Sequence, residues 1–171
     1  IHTLVGMGID SLLWVPTEAE AELSEWLTIT RIPVAIVTQV SRFFNSVSIN
    51  QDRGAESIAE HFIHTGHVSF GFVAQEGVDN RKVSSYSKKI ASHGLTLAKD
   101  NSFWITKGEG ERVSGHIQIL DVIIEKLSEP DRTCSCLLVY NDIAANYIID
   151  GLKEKGISIP EDIAIASFDN T

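Results

Sequence analysis

The sequence predicts an α/β protein with parallel sheets and helices on both faces of each sheet. Short apolar runs alternate along the chain with longer segments whose apolar residues recur at helical spacing, and this alternation is typical of βαβ units. Two of the apolar runs end abruptly on polar residues, one at Asn141-Asp142 and one at Asp169. Polar groups at the ends of parallel strands indicate a binding crevice.

The first part of the chain contains two predicted strands and one predicted helix. The apolar runs SLLWV (11–15) and PVAIVT (33–38) have the length of short buried strands. Between them, TEAEAELSEWL (17–27) is predicted to be helical. Its large apolar residues share one helical face, and its acids cluster near the start, where the helix dipole favours negative charge.

A brief extended piece, VSIN (47–50), precedes the next predicted helix, which Gly66 ends. The run VSFGFVA (68–74) then predicts a strand, and RKVSSYSKKIASHG (81–94) predicts a helix that ends at its glycine. The helix before Gly66 carries an apolar stripe at helical spacing, made of Ala55, Ile58, Ala59, Phe62 and Ile63.

The last part of the chain continues the alternation. Strand-like SFWIT (102–106) precedes RVSGHIQILDVIIEKL (112–127), whose apolar residues alternate by four and three. CLLVY (136–140) precedes DIAANYIIDGLKEKG (142–156), a predicted helix that a glycine ends. IAIASF (163–168) is the last predicted strand.

The composition excludes several classes of protein. The formal net charge of −9 repels a phosphate backbone, so this chain on its own is not expected to bind DNA or an anionic membrane. No apolar run approaches the roughly 20 residues that span a bilayer. Cys134 and Cys136 are the two cysteines, too few for a disulfide scaffold and without the spacing of a zinc motif. They are predicted to be buried thiols in a reducing compartment.

Polar side chains near the strand ends are the candidate binding residues. Asn141, Asp142 and Asp169 directly follow predicted strands, and Arg81 lies in the segment after another strand. Because the carboxyl ends of parallel strands meet at one edge of a sheet, we expect these groups to converge. Together they offer the donors and acceptors that a neutral polyol requires. Trp104 is a further candidate, since an aromatic ring can stack on the apolar face of a sugar.

Three stretches of the sequence, taken together and in order, resemble a known family. RIPVAIVTQV (31–40) resembles the segment IPVV.VD, and GAESIAEHFIHTGHVSFGFV (54–73) is similar to the pattern GA..A..HLI..GH..I.F. Residues 137–171 contain NDIAA, IPEDI and SFD, which are similar to an ND motif, IPEDI and a final GFD. On these motifs the chain is identified with the effector domains of the LacI/GalR family of transcriptional regulators.

The resemblance implies a two-lobed periplasmic-binding-protein-like I fold, of which this chain is expected to be a truncated fragment. Residues 1–65 would be part of the N-terminal lobe, and residues 66–171 most of the C-terminal lobe. The family binds a small-molecule effector, such as a sugar, between the lobes and so changes its affinity for a DNA operator. The implied protein is a cytoplasmic homodimer or higher oligomer, with the 17–27 helix at its dimer surface, that binds DNA through a segment outside this chain.

The family's ligand-contacting positions match individual residues of this chain. Asn141 matches the asparagine of the ND motif, which contacts the effector, and Asp142 is its helix-capping neighbour. Asp169 matches the acid that binds ligand hydroxyls. Arg81 matches the arginine of an R..G motif, and Asp52 matches an acid that can face the cleft. The chain departs from the family's glycines at Gln75, Ser84, Asn146 and Ser167.

No enzyme, cofactor or metal is predicted. GEGER (108–112) lacks the third glycine of a dinucleotide-binding loop. His61, His64 and His67 lie on a helix and the turn after it, a spacing that does not bring ligands around a metal ion. Two alternatives stay open: a periplasmic sugar-binding protein of a transport system, which has the same fold, and an α/β enzyme, which would need a base with a perturbed pKa in the crevice.

Overall fold

The computed structural model describes residues 3, 6–15, 27–29, 31–38, 40–76, 80–106 and 114–169. Within these ranges the chain alternates between strands and helices, and the predicted α/β class is confirmed. The elements are β1 (Leu12–Trp14), β2 (Val34–Val37), β3 (Asn45–Val47), α1 (Gln51–His64), β4 (Phe70–Gln75), α2 (Arg81–Ser92), β5 (Leu97–Ile105), α3 (Ser114–Ser128), β6 (Cys136–Val139), α4 (Asp142–Glu154) and β7 (Ala164–Ala166).

The chain divides into two compact units, residues 1–50 and 51–171. In the first unit, β1, β2 and β3 form a three-stranded parallel sheet in that order. Trp14 pairs with Ile36, and Ile36 pairs with Ser46 across the middle strand. Ile36 is fully buried, as expected for an apolar residue at the centre of a sheet.

In the second unit, four strands form a parallel sheet in the order β5-β4-β6-β7. The central strands β4 and β6 are buried along nearly their whole length, which explains their continuous apolar sequences. The register between β4 and β5 shifts between Phe70 and Phe72. Because all four strands run the same way, their carboxyl ends lie along one edge of the sheet.

Helices cover both faces of this second sheet. Strand neighbours point to opposite faces, so Phe72 and Val73 belong to different apolar clusters. The cluster under α1 and α2 includes the buried residues Ala59, Phe62, Phe70, Phe72, Ile90 and Leu138. The cluster under α3 and α4 includes the buried residues Val73, Ile124, Leu137, Val139, Ile148 and Leu152.

Gly66 and Gly156 end α1 and α4 as the sequence predicts. Their φ angles are 90° and 79°, in the left-handed region that glycine adopts without steric cost. After α1, the His67 amide donates to the Phe62 carbonyl, and the end of α4 repeats this bond between Ile157 and Leu152. Both ends therefore have the hydrogen bond of a Schellman motif.

The helix α1 belongs to the second unit, where its apolar stripe packs with α2 on the sheet. A partly buried polar contact adds to this packing, since Ser85 Oγ donates to Asp52 Oδ1 at 2.9 Å. The division between the units consequently falls after Asn50, earlier than the predicted boundary between residues 65 and 66. The apolar stripe predicted the helix from the sequence, but it did not predict on which sheet that helix packs.

Other elements differ from their predicted bounds. β3 begins before the predicted extended piece at 47–50, and β5 is longer than the predicted 102–106 strand. Most of the predicted 17–27 helix and the whole 108–112 segment lie outside the described residues. Both cysteines are buried and free, as predicted. In the described part of the chain, no helix is long and apolar enough to cross a membrane.

Tyr86 brings a hydroxyl group into the cluster under α1 and α2. Its side chain is fully buried, and its ring meets the Phe70 ring edge-on, with centroids 6.4 Å apart. Among the described residues the hydroxyl makes no hydrogen bond of normal geometry, and its polar neighbour is the Cys136 thiol, a weak acceptor. Burial raises the pKa of Tyr86, and the neighbouring thiols of Cys136 and Cys134 raise it further. A buried hydroxyl without a partner lowers stability relative to an apolar group of the same shape.

Replacing Ile148 tests which face of α4 is buried. Ile148 is fully buried, whereas Ile143 on the same helix is 73% exposed. Ile148→Ala is therefore expected to lower the free energy of unfolding by about 2–5 kcal/mol, and Ile143→Ala to change it by less than about 0.5 kcal/mol. Urea unfolding of the intact protein measures both values. Similar losses in the two variants would contradict the packing of α4.

Replacing Tyr86 tests the unbonded hydroxyl. Tyr86→Phe is expected to leave the free energy of unfolding unchanged or to raise it by about 1 kcal/mol, because at most a weak contact with the Cys136 thiol is lost. Tyr147→Phe is the matched control, because it removes the same group from a position where the hydroxyl does donate a hydrogen bond, to Asp121 at 2.7 Å. The measurement is thermal and urea unfolding. A clear loss of stability in Tyr86→Phe would mean that the hydroxyl has a partner in solution.

Candidate functional site

A cavity of about 280 Å³ opens at the carboxyl edge of the second sheet. It lies where the sheet geometry predicts a ligand, beyond the ends of β4, β6 and β7. The first turns of α1 and α2 and the cap of α4 border it as well. Its lining consists of Gln51, Val73, Ala74, Gln75, Asn80, Lys82, Val83, Leu138, Tyr140, Asn141, Phe168 and Asp169.

Asn141 lines the cavity and also caps α4. Its Oδ1 accepts a hydrogen bond from the Ala144 amide at 2.9 Å, and its extended backbone is usual for a cap residue. The Oδ1 atom is therefore used in the cap, while Asn141 as a residue also lines the cavity. The hydrogen-bond donors of its Nδ2 group are not used by that cap.

Lys82 is the cationic side chain among the lining residues. Its Nζ donates to the Tyr140 carbonyl at 3.2 Å and lies 4.0 Å from the centroid of the Phe168 ring. Burial lowers the pKa of Lys82, while attraction to Asp169 acts in the opposite direction. The ammonium group is thus less well stabilised here than in water, and an acceptor from a ligand would improve its surroundings.

Gln75 is the last residue of β4 and Tyr140 directly follows β6, so both lie at the carboxyl ends of the two central strands. Burial raises the pKa of Tyr140, and a hydrogen bond with Gln75 lowers it by a smaller amount. Asp169, beyond β7, has a φ of 89° and is exposed at the cavity. Aspartate adopts such left-handed backbone more readily than most residues. The lining thus offers amide, phenol, ammonium and carboxylate groups beside the apolar ring of Phe168.

The structure brings Asn141 and Asp169 together at this cavity, as the sequence predicts. Two other predicted site residues lie beside it but do not line it. Asp142 begins α4 one position after the cap, and Arg81 begins α2 as an exposed side chain. In the register of α2, it is the next residue, Lys82, that faces the cavity.

Asp52 and Trp104 are also outside the lining. The Asp52 carboxylate accepts the Ser85 hydrogen bond that joins α1 to α2. Trp104 lies on β5, at the edge of the sheet, where it is 41% exposed and packs edge-on against Phe72 with ring centroids 5.1 Å apart. Both side chains thus have structural contacts that their sequence positions did not reveal.

Sequence reasoning missed several lining residues. Gln75, Tyr140 and Phe168 each stand at the end of an apolar run, so the rule that identified Asn141 and Asp169 could have found them. Lys82 and Gln51 carry no such mark, because each lies in the first turn of a helix. Only the rotation of those helices directs the two side chains toward the cavity.

The histidines do not form a metal site within the described residues. No group of three or more histidine, cysteine, aspartate or glutamate side chains lies there in a position to hold a metal ion. His67 instead makes a hydrogen bond between Nδ1 and Ser135 Oγ at 3.1 Å. Burial lowers the pKa of His67, and repulsion from His61 lowers it further.

A scan against family models matches residues 59–171 to the periplasmic binding protein-like domain. The match includes β4 to β7 and all of the lining residues except Gln51. The chain belongs to the periplasmic binding protein-like domain family. Its parallel sheet, its two helical layers and its cavity at the strand ends agree with this assignment.

The curated relatives of this family member are transcriptional regulators rather than enzymes. Catabolite control protein A of Priestia megaterium is 26% identical over 177 residues, which cover 100% of this chain and 51% of that protein. The HTH-type transcriptional repressor PurR of Photobacterium profundum is 23% identical over 176 residues, which cover 99% of this chain and 50% of that protein. The chain spans about half the length of the curated relatives it matches.

Solved structures of LacI family regulators have the same fold as this chain. A LacI family transcriptional regulator from Lactobacillus casei with bound sucrose has a TM-score of 0.80 at 17% identity, over 99% of this chain and 62% of that one. A sugar-binding LacI family regulator from Escherichia coli in complex with phosphate has a TM-score of 0.79 at 18% identity, over 99% of this chain and 60% of that one. These likenesses establish the fold, and with the repressor relatives they confirm the resemblance to LacI-type regulators.

Substitutions at Asn141 separate its cap from its donor group. Asn141→Ala is expected to lower the free energy of unfolding by about 1 kcal/mol, because the Ala144 amide loses its acceptor. Asn141→Asp keeps an acceptor at the same position and should retain that stability, since a carboxylate suits the amino end of a helix. Urea unfolding of the intact protein measures both changes. Equal losses in the two variants would contradict the capping role.

Proposed function

We propose that this chain is the effector-binding part of a bacterial LacI-type transcriptional regulator. The observation that carries the proposal is the cavity at the carboxyl edge of the second sheet, where Lys82, Asn141 and Asp169 converge. The family assignment and the repressor relatives support a regulator over a transport protein or an enzyme. The described lining residues include no nucleophile placed beside a general base, the arrangement that would indicate catalysis.

The proposed effector is a small polar molecule of the sugar or sugar-like class. A cavity of about 280 Å³ is near the lower end of the usual range for ligand pockets. Amide groups at its wall can both donate and accept hydrogen bonds, and the Asp169 carboxylate can accept from two hydroxyls. The Phe168 ring provides an apolar surface of the kind that packs against the C–H face of a sugar ring.

Residues of the first unit are proposed to belong to the N-terminal lobe of the effector domain, and the second unit to most of the C-terminal lobe. Effector binding would then favour one arrangement of the lobes over another. A DNA-binding segment outside this chain would respond to that change, in a cytoplasmic dimer or higher oligomer. Linkage requires that effector and operator alter each other's affinity by the same factor.

A thermal-shift screen of the intact protein tests effector binding. Sugars, sugar phosphates and nucleobases are the probes, because a ligand of the native state must raise the melting temperature by mass action. Asp169→Asn is expected to reduce the shift from a bound sugar to less than a third of the wild-type value, since a charged acceptor is lost. Asparagine tolerates a positive φ, so the variant should melt close to the wild-type temperature without ligand.

Asp150→Asn is the matched control, because Asp150 is an exposed acid of α4 outside the cavity. It removes the same charge and should leave the shift unchanged. A wild-type shift in Asp169→Asn would exclude Asp169 from the site. The regulatory half of the proposal has its own measurement: a duplex selected by the intact protein from a random library should change in affinity when the effector is added. If the intact protein selects no duplex, the regulatory half of the proposal is contradicted and only the ligand-binding half stands.

A further inference from the structure

We propose that the ligand of this cavity is a polyol with an ionised acidic group, either a carboxylate or a phosphate, and that Lys82 binds that group. The inference rests on the proposed function, since it concerns the same cavity and names the chemical class of its ligand. Three observations carry it: the surroundings of Lys82, the helix ends at the cavity, and the position of Asp169.

Among the described residues, no carboxylate forms an ion pair with the Lys82 ammonium group, although Asp169 attracts it. Its neighbours are the Tyr140 carbonyl, at 3.2 Å from Nζ, and the face of the Phe168 ring, at 4.0 Å. These groups partly replace water but do not neutralise the charge, and burial lowers the pKa of Lys82 despite attraction to Asp169. A cation kept in such a position gains most from an anion that arrives with the ligand.

The amino ends of helices add to the positive potential. Gln51 lies at the start of α1, Asn80 at the start of α2 and Asn141 at the start of α4, and all three line the cavity. Each helix carries about half a positive charge at this end. The Asn141 side chain caps α4, whereas the Asn80 side chain makes no capping hydrogen bond to α2. The first turn of α2, which contains Lys82, therefore lacks the acceptor that the cap side chain supplies to α4.

Asp169 is the acidic side chain among the lining residues, and its position limits the kind of anion. It is exposed, beyond the last strand, and its charge roughly offsets that of Lys82. Asp52 and Asp142 place acids in the first turns of α1 and α4, whereas the described first turn of α2 contains no acid, so the positive end of α2 beside Lys82 is not offset by its own side chains. A ligand that presents its acid to Lys82 and α2, and its hydroxyl groups to Asp169, satisfies both regions. A fully neutral sugar leaves the Lys82 side without a charged partner.

The experiment compares paired compounds on the intact protein. Glucose, gluconate and glucose 6-phosphate form one set, and ribose, ribonate and ribose 5-phosphate form another, with acetate and inorganic phosphate as tests of the acidic group alone. Thermal shift ranks the compounds, and calorimetry gives the dissociation constants. We expect the acidic member of a set to bind at least tenfold more tightly than its neutral parent. The carboxylate and phosphate members decide which of the two acids is preferred.

Lys82→Gln is expected to weaken binding of the acidic member about 10- to 100-fold, the usual effect of losing a hydrogen bond to a charged group. Binding of the neutral parent should weaken by a clearly smaller factor, because that ligand offers Lys82 no charged acceptor. Lys88→Gln is the control, because Lys88 is exposed on the same helix and its loss changes the net charge equally.

The outcomes distinguish this inference from the proposed function. If a neutral sugar binds as tightly as its acid, with an Asp169-dependent shift, the effector site stands and the acidic ligand is excluded. The inference is also overturned if Lys82→Gln weakens both members of a set equally, because Lys82 would then serve the polyol. If no compound of either set shifts the melting temperature, the proposed sugar-type effector fails as well.

Discussion

Parallel pairing in the second sheet is the constraint on which the rest of the structure depends. A parallel sheet requires a crossover after every strand, and here the crossovers are helices that cover both faces. The same geometry places the end of each strand and the start of each following helix along one edge. The cavity lies at that edge, where the main chain leaves β4, β6 and β7. Binding capacity is thus a consequence of how the core is built.

Residues at this edge contribute to different degrees to the stability of the fold and to the proposed binding site. Asn141 contributes to stability through its cap of α4, and it also lines the cavity. Asp52 contributes to packing through Ser85, although its sequence position matches a binding residue of the family. Lys82 is the opposite case, because burial lowers its pKa and attraction to Asp169 offsets this effect only in part. Natural sites often carry such locally unfavourable groups.

The charged groups at the cavity differ from the net charge of the chain. The chain has a formal net charge of −9, which makes it a poor partner for nucleic acid. The cavity nevertheless combines a lysine with the amino ends of three helices. A lysine beside the amino end of a helix favours small polar or anionic molecules at the cavity, while the net charge of the chain repels nucleic acid. This difference agrees with the proposed regulator, in which a segment outside this chain binds DNA.

The sequence by itself determined the fold class, the helices and part of the site. Apolar spacing marked α1 and α3, glycines marked the ends of α1, α2 and α4, and abrupt strand ends marked Asn141 and Asp169, because these features depend on local spacing and backbone preference. Tertiary structure alone decided that α1 belongs to the second unit and that Lys82, rather than Arg81, lines the cavity. Successive side chains of a helix point about 100° apart. The choice between such neighbours therefore depends on how the whole helix rotates when its apolar face packs on the sheet.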